Sequence, residues 1–119
     1  MKIGYDSIVE LLLKTGADVS LCGTNGISPL SIACENEHTS IVHLLLENGA
    51  NVNLCDINGV TPLYIACEYE HNDTVKILLE KGADVNISDK KGIKAFDKAR
   101  EKGQSNIIQL LEYNTVEYK

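Results

Sequence analysis

The residues of this chain able to do chemistry are few, and they recur in step. Three histidines, His38, His43 and His71, stand among four cysteines, Cys22, Cys34, Cys55 and Cys67. Carboxylates form two matching sets, Glu35 with Glu37 and Glu68 with Glu70. An interval of 33 residues relates His38 to His71, Cys22 to Cys55, Cys34 to Cys67, and one carboxylate set to the other. A zinc site made from them needs ligands at short spacings, and neither C-x2-C nor H-x3-H occurs. G-x-S-x-G, a phosphate-cradling glycine loop and H-E-x-x-H are also absent. A residue that returns at a fixed interval is first of all a stacking residue. His38 and His71 are therefore read as structural, hydrogen-bonded to a neighbouring loop. The sequence implies no cofactor and no metal, and an enzyme is the least favoured reading.

The same interval organises the whole chain. Residues 57–89, INGVTPLYIACEYEHNDTVKILLEKGADVNISD, repeat residues 24–56, TNGISPLSIACENEHTSIVHLLLENGANVNLCD, with 19 of 33 positions identical. Its anchors are Gly26, Gly59 and Gly92; Leu12, Leu45, Leu78 and Leu111; and Gly16, Gly49 and Gly82. Within each full copy, Ser28 or Thr61 is placed to cap a short helix with Pro29 or Pro62 in its first turn. The second such helix is expected over about 62–69, turning Leu63, Ala66 and Cys67 inward. Second helices are expected to begin near Thr39/Ser40 and Asn72/Asp73, which are suited to capping. Their apolar arcs, through Ile41–Leu46 and Val75–Leu79, are wider than one buried face requires. Helices flanked on both sides in a stack need such arcs. Asn58-Gly59 favours a tight turn.

A period of 33 residues with Thr61-Pro62-Leu63-Tyr64-Ile65-Ala66 near its start and Gly82-Ala83-Asp84-Val85-Asn86 near its end resembles the ankyrin repeat. The resemblance implies an all-α solenoid of stacked helix-turn-helix units with hairpin-like fingers, about three and a half repeats in one domain over 1–119. Residues 1–23 would be a partial repeat, 24–56 and 57–89 full repeats, and 90–119 a C-terminal capping repeat. Asn53 and Asn86 are expected to be buried amides tying successive fingers together. Glu37 and Glu70 depart from the family pattern, which has Gly there. If that position needs φ > 0, each costs on the order of 1 kcal/mol.

The two ends differ. In the last unit Lys94-Ala95-Phe96 replaces Thr-Pro-Leu, and Lys98 and Arg100 replace apolar or small residues, as a charged outward cap would. The tail 114–119 is expected to fray. At the front, Ile8, Val9, Leu11, Leu12 and Leu13 are expected to form a helix with no partner helix in its own repeat. That asymmetry suggests the C-terminal piece of a longer array, or self-association through the incomplete N-terminal repeat.

Formal charge is −6, and it is uneven: residues 1–88 hold four Lys against twelve Asp/Glu, residues 89–119 seven Lys/Arg against five Asp/Glu. An acidic body disfavours nucleic-acid and anionic-membrane partners, which need a basic face. No apolar run approaches the roughly 18 residues of a membrane span, and the first residues lack a signal-peptide pattern. Cytoplasmic or nuclear localisation is expected, with all four thiols reduced. Cys34 and Cys67 look like small core residues.

What remains is recognition. The resemblance implies a non-enzymatic protein–protein interaction module that binds a partner protein on the concave face of finger tips and first helices. The residues carried over from the fingers are Thr24, Asn25 and Ile27; Ile57, Asn58 and Val60; and Lys90, Lys91 and Ile93. From the first helices come Glu35 and Asn36, Glu68 and Tyr69, and Glu101 and Lys102. Ile27, Ile57, Val60 and Tyr69 would form the anchor cluster. The alternative is a structural repeat segment, the C-terminal end of a longer array with no tight ligand of its own.

Overall fold

Proline and a hydroxyl decide where each unit begins. The computed structural model describes residues 22–117, and among these lie six α-helices and no extended strand, only an isolated bridge between Ser88 and Lys94. The helices come in pairs: α1 (Pro29–Glu35) with α2 (Thr39–Glu47), α3 (Pro62–Glu68) with α4 (Asn72–Glu80), and α5 (Ala95–Lys102) with α6 (Ser105–Glu117). Ser28 Oγ accepts the Ser31 amide at 3.1 Å and Thr61 Oγ1 the Tyr64 amide at 3.2 Å. Pro29 and Pro62 follow at the first helical position, where no N–H is needed. At α5 the capping polarity is reversed: the Lys94 amide donates to Asp97 Oδ2 at 2.9 Å.

Helices of this length do not hold alone in water. They hold by packing in two rows, α1 on α3 on α5 and α2 on α4 on α6, with each pair also packed on itself. The first helices bury Leu30, Ala33 and Cys34, then Leu63, Ala66 and Cys67. The second helices bury Val42 and Leu45, Val75 and Leu78, Ile107 and Leu111. Each fully buried Leu or Val is worth about 1.5–3 kcal/mol, so the inter-row seam carries the fold.

Every first helix ends in a left-handed residue. The φ values are 57° at Glu37, 62° at Glu70 and 67° at Gly103. The next amide then reaches back to close the helix: His38 to the Ala33 carbonyl at 3.0 Å, His71 to Ala66 at 2.9 Å, Gln104 to Ala99 at 3.1 Å. The expected strain at Glu37 and Glu70 is therefore present. The second helices begin at Thr39 and Asn72, but these residues do not cap them. The cap positions belong to His38 and His71, with no side-chain capping bond, because the left-handed turn brings the helix in one residue early.

The fingers are turns built on aspartate. Asp56 Oδ1 accepts the amides of Asn58 and Val60 at 2.8 and 3.0 Å, and Asp89 Oδ1 those of Lys91 and Ile93 at 2.8 and 2.9 Å. The first finger has Gly23 in place of that aspartate, and its turn changes hand: Asn25 joins Gly26 at positive φ, 64° and 75°. Successive fingers bond edge to edge, the Ile57 amide to the Asn25 carbonyl at 2.9 Å and the Lys90 amide to the Asn58 carbonyl at 3.0 Å. Gly59 permits that approach: a Cβ there would stand 3.1 Å from Asp89 Cα, at φ 81°.

Four expectations are corrected. Asn53 does link fingers, accepting the Asp84 amide at 2.8 Å, but it is only half-buried, and Asn86 is exposed. Fingers of turns, unlike sheets, leave such amides at the surface. Lys98 does not face outward; it folds back on the preceding repeat and is 17% exposed. The charged cap is partial, because Phe96, Ile108 and Leu110 stay half-buried where the preceding unit covers Leu63, Val75 and Ile77. Finally, α6 runs on through Glu117, past the start of the tail expected to fray. The helix expected over 8–13 and the self-association assigned to it lie outside the described residues.

Candidate functional site: the face of finger turns and first helices

Exposed apolar surface is concentrated on one set of elements. The large exposed hydrophobics among the described residues are Ile27 (38%), Ile32 (50%), Ile57 (56%), Tyr69 (48%) and Tyr113 (66%). All but Tyr113 belong to fingers, to a first helix or to its C-terminal cap, and none comes from α2 or α4. Ile32 was not singled out from the sequence. Ile32, Ile65 and Lys98 share one repeat position, and the lysine there is compatible with a partly exposed place, though Ile65 and Lys98 are themselves half-buried.

The other residues carried over fall as follows. Thr24 lies in the first finger turn, and Asn25, Asn58, Lys90 and Lys91 are exposed in the fingers. The backbones of Asn25, Asn58 and Lys90 make the finger-to-finger bonds, which fixes the turns while leaving the side chains outward. Val60 is not an exposed anchor; it and Ile93 are half-buried against the core, because the aspartate-bonded turn directs them back under the finger. Glu35 and Asn36 are exposed at the end of α1, and the Asn36 amide group donates to the Ile32 carbonyl at 2.9 Å. Glu101 and Lys102 are exposed at the end of α5.

Ionised groups gather where α1, α3 and α5 end. Lys98 Nζ stands 3.0 Å from Glu101 Oε1, 4.0 Å from Glu68 Oε2 and 5.8 Å from the centre of the Tyr64 ring. The hydrogen bond to Glu101 is the main cause that raises the Lys98 pKa, against a smaller opposing effect of burial. Tyr64 is buried beneath and donates its hydroxyl to Asp89 Oδ2 at 3.0 Å. Burial, then that bond and the charges of Asp89, Glu68 and Glu101, push its phenol up to about 12. One repeat earlier, Tyr69 stacks on His71 with ring centres 6.2 Å apart. Its phenol is raised first by the charge of Glu35, then by burial, by Glu68 and by a hydrogen bond to Glu35.

His71 has a structural role. Its Nε2 lies 2.9 Å from the Glu35 carbonyl and its Nδ1 3.5 Å from Glu37 Oε1, both in the preceding repeat. Gln104, at the same repeat position, makes the matching reach, Nε2 to the Cys67 carbonyl at 2.7 Å. His38 and His43 are five residues apart, with four residues between them, a spacing zinc sites also use. His43 is exposed on α2, and among the described residues no group of three His, Cys, Asp or Glu is placed to hold a metal ion. Cys34 and Cys67 are buried, which pushes each thiol up to about 12; Cys22 and Cys55 are exposed, and none of the four forms a disulfide. No helix among the described residues is long and apolar enough to cross a membrane.

Stacked helix pairs joined by turns, with an interval of 33 residues and a Thr-Pro-Leu helix start, define a repeat protein of one kind. A family profile of ankyrin repeats, in three copies, matches residues 1–89. The chain belongs to the ankyrin repeat family. The match stops short of the terminal unit, where Lys94-Ala95-Phe96 has replaced the proline start. Repeats of this family are generally protein–protein interaction modules. A comparison with curated proteins gives no match.

Proposed function

We propose that this chain is a non-enzymatic protein-binding module, docking a partner protein on the face made by its finger turns and first helices. The observation that carries the reading is the placement of Ile27, Ile32, Ile57 and Tyr69, each at least 38% exposed, on that face. Scattered apolar residues on a surface are ordinary. What supports the reading is that four of the five large exposed hydrophobics belong to these elements and none to α2 or α4, with Tyr113 on α6 the exception. Tyr69 is the anchor, a ring held by its stack on His71 and so losing little freedom on docking. Lys90 and Lys91 mark the finger end of the surface and Glu35 and Glu68 its helix end.

The test compares proteins captured by the native chain and by an Ile32→Ser/Ile57→Ser/Tyr69→Ala variant. Because these side chains are exposed, the variant is expected to keep its melting temperature within a few degrees. Loss of captured proteins by the folded variant supports the reading. Equal capture overturns it in favour of a structural repeat segment without a ligand on this face.

A further inference from the structure

The chain carries its own picture of what the docking face takes up. In the last repeat a cation, Lys98, lies between two carboxylates one repeat apart, Glu68 and Glu101, and over a tyrosine ring. One repeat earlier the two carboxylates recur as Glu35 and Glu68, and the position of Lys98 is taken by Ile65. An aromatic ring is again at hand, supplied by Tyr69, whose neighbour His71 bonds the Glu35 carbonyl. The internal cation is missing, and Ser31 stands where Tyr64 does, so Tyr69 supplies the ring from a different repeat position. Among the described residues no lysine or arginine pairs with Glu35, whereas Glu68 and Glu101 share Lys98.

We propose that a lysine or arginine of the partner protein occupies this second position, between Glu35 and Glu68 and against Tyr69, with its alkyl stem on Ile32 and Ile65. The proposal rests on the docking reading above and gives its partner a chemistry: a basic segment, whose cation is recognised as Lys98 is recognised within the chain. A cation beside a carboxylate and a tyrosine ring gains from both, and an aliphatic floor suits the methylene stem of either residue. The acidic body favours the same partner at longer range, since opposite charge speeds encounter.

Ile65→Lys provides an internal competitor. By equivalence with Lys98 its ammonium fills the place and shuts out the partner's cation. Glu35→Gln/Glu68→Gln removes the charge while keeping the shape. The experiment selects binders to the full chain from a random peptide library displayed on phage, then measures the enriched peptides against each variant. Enriched peptides should carry Lys or Arg, weaken about tenfold with Glu35→Gln/Glu68→Gln, and weaken again as salt is raised. They should also weaken with Ile65→Lys, provided its melting curve shows a folded chain. If Ile65→Lys does not fold, the glutamine pair decides alone. Neutral or acidic peptides that bind the glutamine pair as well as the native chain overturn this inference. If those peptides still lose binding to the Ile32→Ser/Ile57→Ser/Tyr69→Ala variant, the docking reading survives it. Peptides indifferent to both sets of substitutions, or no enrichment at all, overturn both.

Discussion

Tyr64 donates its hydroxyl hydrogen to Asp89 Oδ2 across 3.0 Å, tying α3 to the finger turn that opens the next unit. Asp89 Oδ1 meanwhile holds the amides of Lys91 and Ile93, so one carboxylate fixes both the turn and its seat on the helix below. The bond is absent one repeat earlier because Ser31 stands where Tyr64 does; Ser31 takes a hydrogen bond from Ser28 at 3.2 Å instead.

Tyr64→Phe is expected to lower the melting temperature by about 4 °C, the loss of one hydrogen bond from a small domain. The pH dependence has a definite sign. The Tyr64 phenol rises from 10.0 to about 12 on folding, so its contribution is present below pH 10 and is lost as pH climbs toward 12. Asp89 is lowered from 3.8, first by the Ile93 amide, with the Tyr64 and Lys91 bonds also acting against burial. Its contribution is present above the ordinary carboxylate range and is lost as pH falls through the folded value. Urea unfolding between pH 9 and pH 12 should show a shallower loss of stability in Tyr64→Phe than in the native chain. Parallel losses would remove the bond from the account.

The link from His71 to the Glu35 carbonyl is expected to be worth about 0.5–1.5 kcal/mol, the usual net value of a hydrogen bond in a protein. His71→Ala should lose that amount. Gln104 makes the equivalent reach in the next unit, so His71→Gln should recover much of it. Urea midpoints for the two variants decide the matter. A glutamine variant no better than alanine would show that the ring, through its stack on Tyr69, matters more than the bond.

What the sequence discloses depends on whether the cause is local and repeated. The Ser28 and Thr61 caps, the two prolines and the inward Leu-Ala-Cys positions are all legible, since each is a short pattern present twice. The left-handed Glu37 and Glu70 are visible as departures from a pattern that puts Gly there. The features missed involve residues that break the repeat. Tyr64 against Ser31 and Lys98 against Ile65 each alter a contact made to a neighbouring unit, Gly23 against Asp56 alters the turn of its own finger, and the periodicity that reveals the fold hides such differences. Thr39 and Asn72 are good cap types, yet the left-handed turn ahead of them sets the start, and the cap positions fall at His38 and His71. Of the proposed site, the fingers were readable from the spacing, but Ile32 and the half-burial of Val60 depend on packing between units.

Thiol chemistry should divide the cysteines by depth. Burial holds Cys34 and Cys67 at about 12, so neither forms the reactive thiolate at neutral pH. With an aromatic disulfide reagent at pH 8, the native chain is expected to react at two thiols, Cys22 and Cys55, and the unfolded chain at four. Melting curves with and without a reducing agent should coincide. A clear drop on reduction would mean that a disulfide forms in solution.

Glu70→Gly is expected to stabilise the fold, although it removes a side chain and adds a glycine. Glu70 sits at φ 62°, where a residue with a Cβ is strained by roughly 1 kcal/mol. Glycine relieves that strain, and its greater freedom in the unfolded chain offsets part of the gain. The net expectation is an increase of about 0.5 kcal/mol. Gly103, at φ 67° in the same repeat position, shows that the backbone accommodates glycine there with the helix-closing bond intact. Glu70→Ala is the control, because alanine keeps the Cβ and should leave stability unchanged or lower. Denaturant unfolding of both variants measures the difference. A glycine variant less stable than the alanine one would mean that the left-handed turn is held by something other than its own geometry.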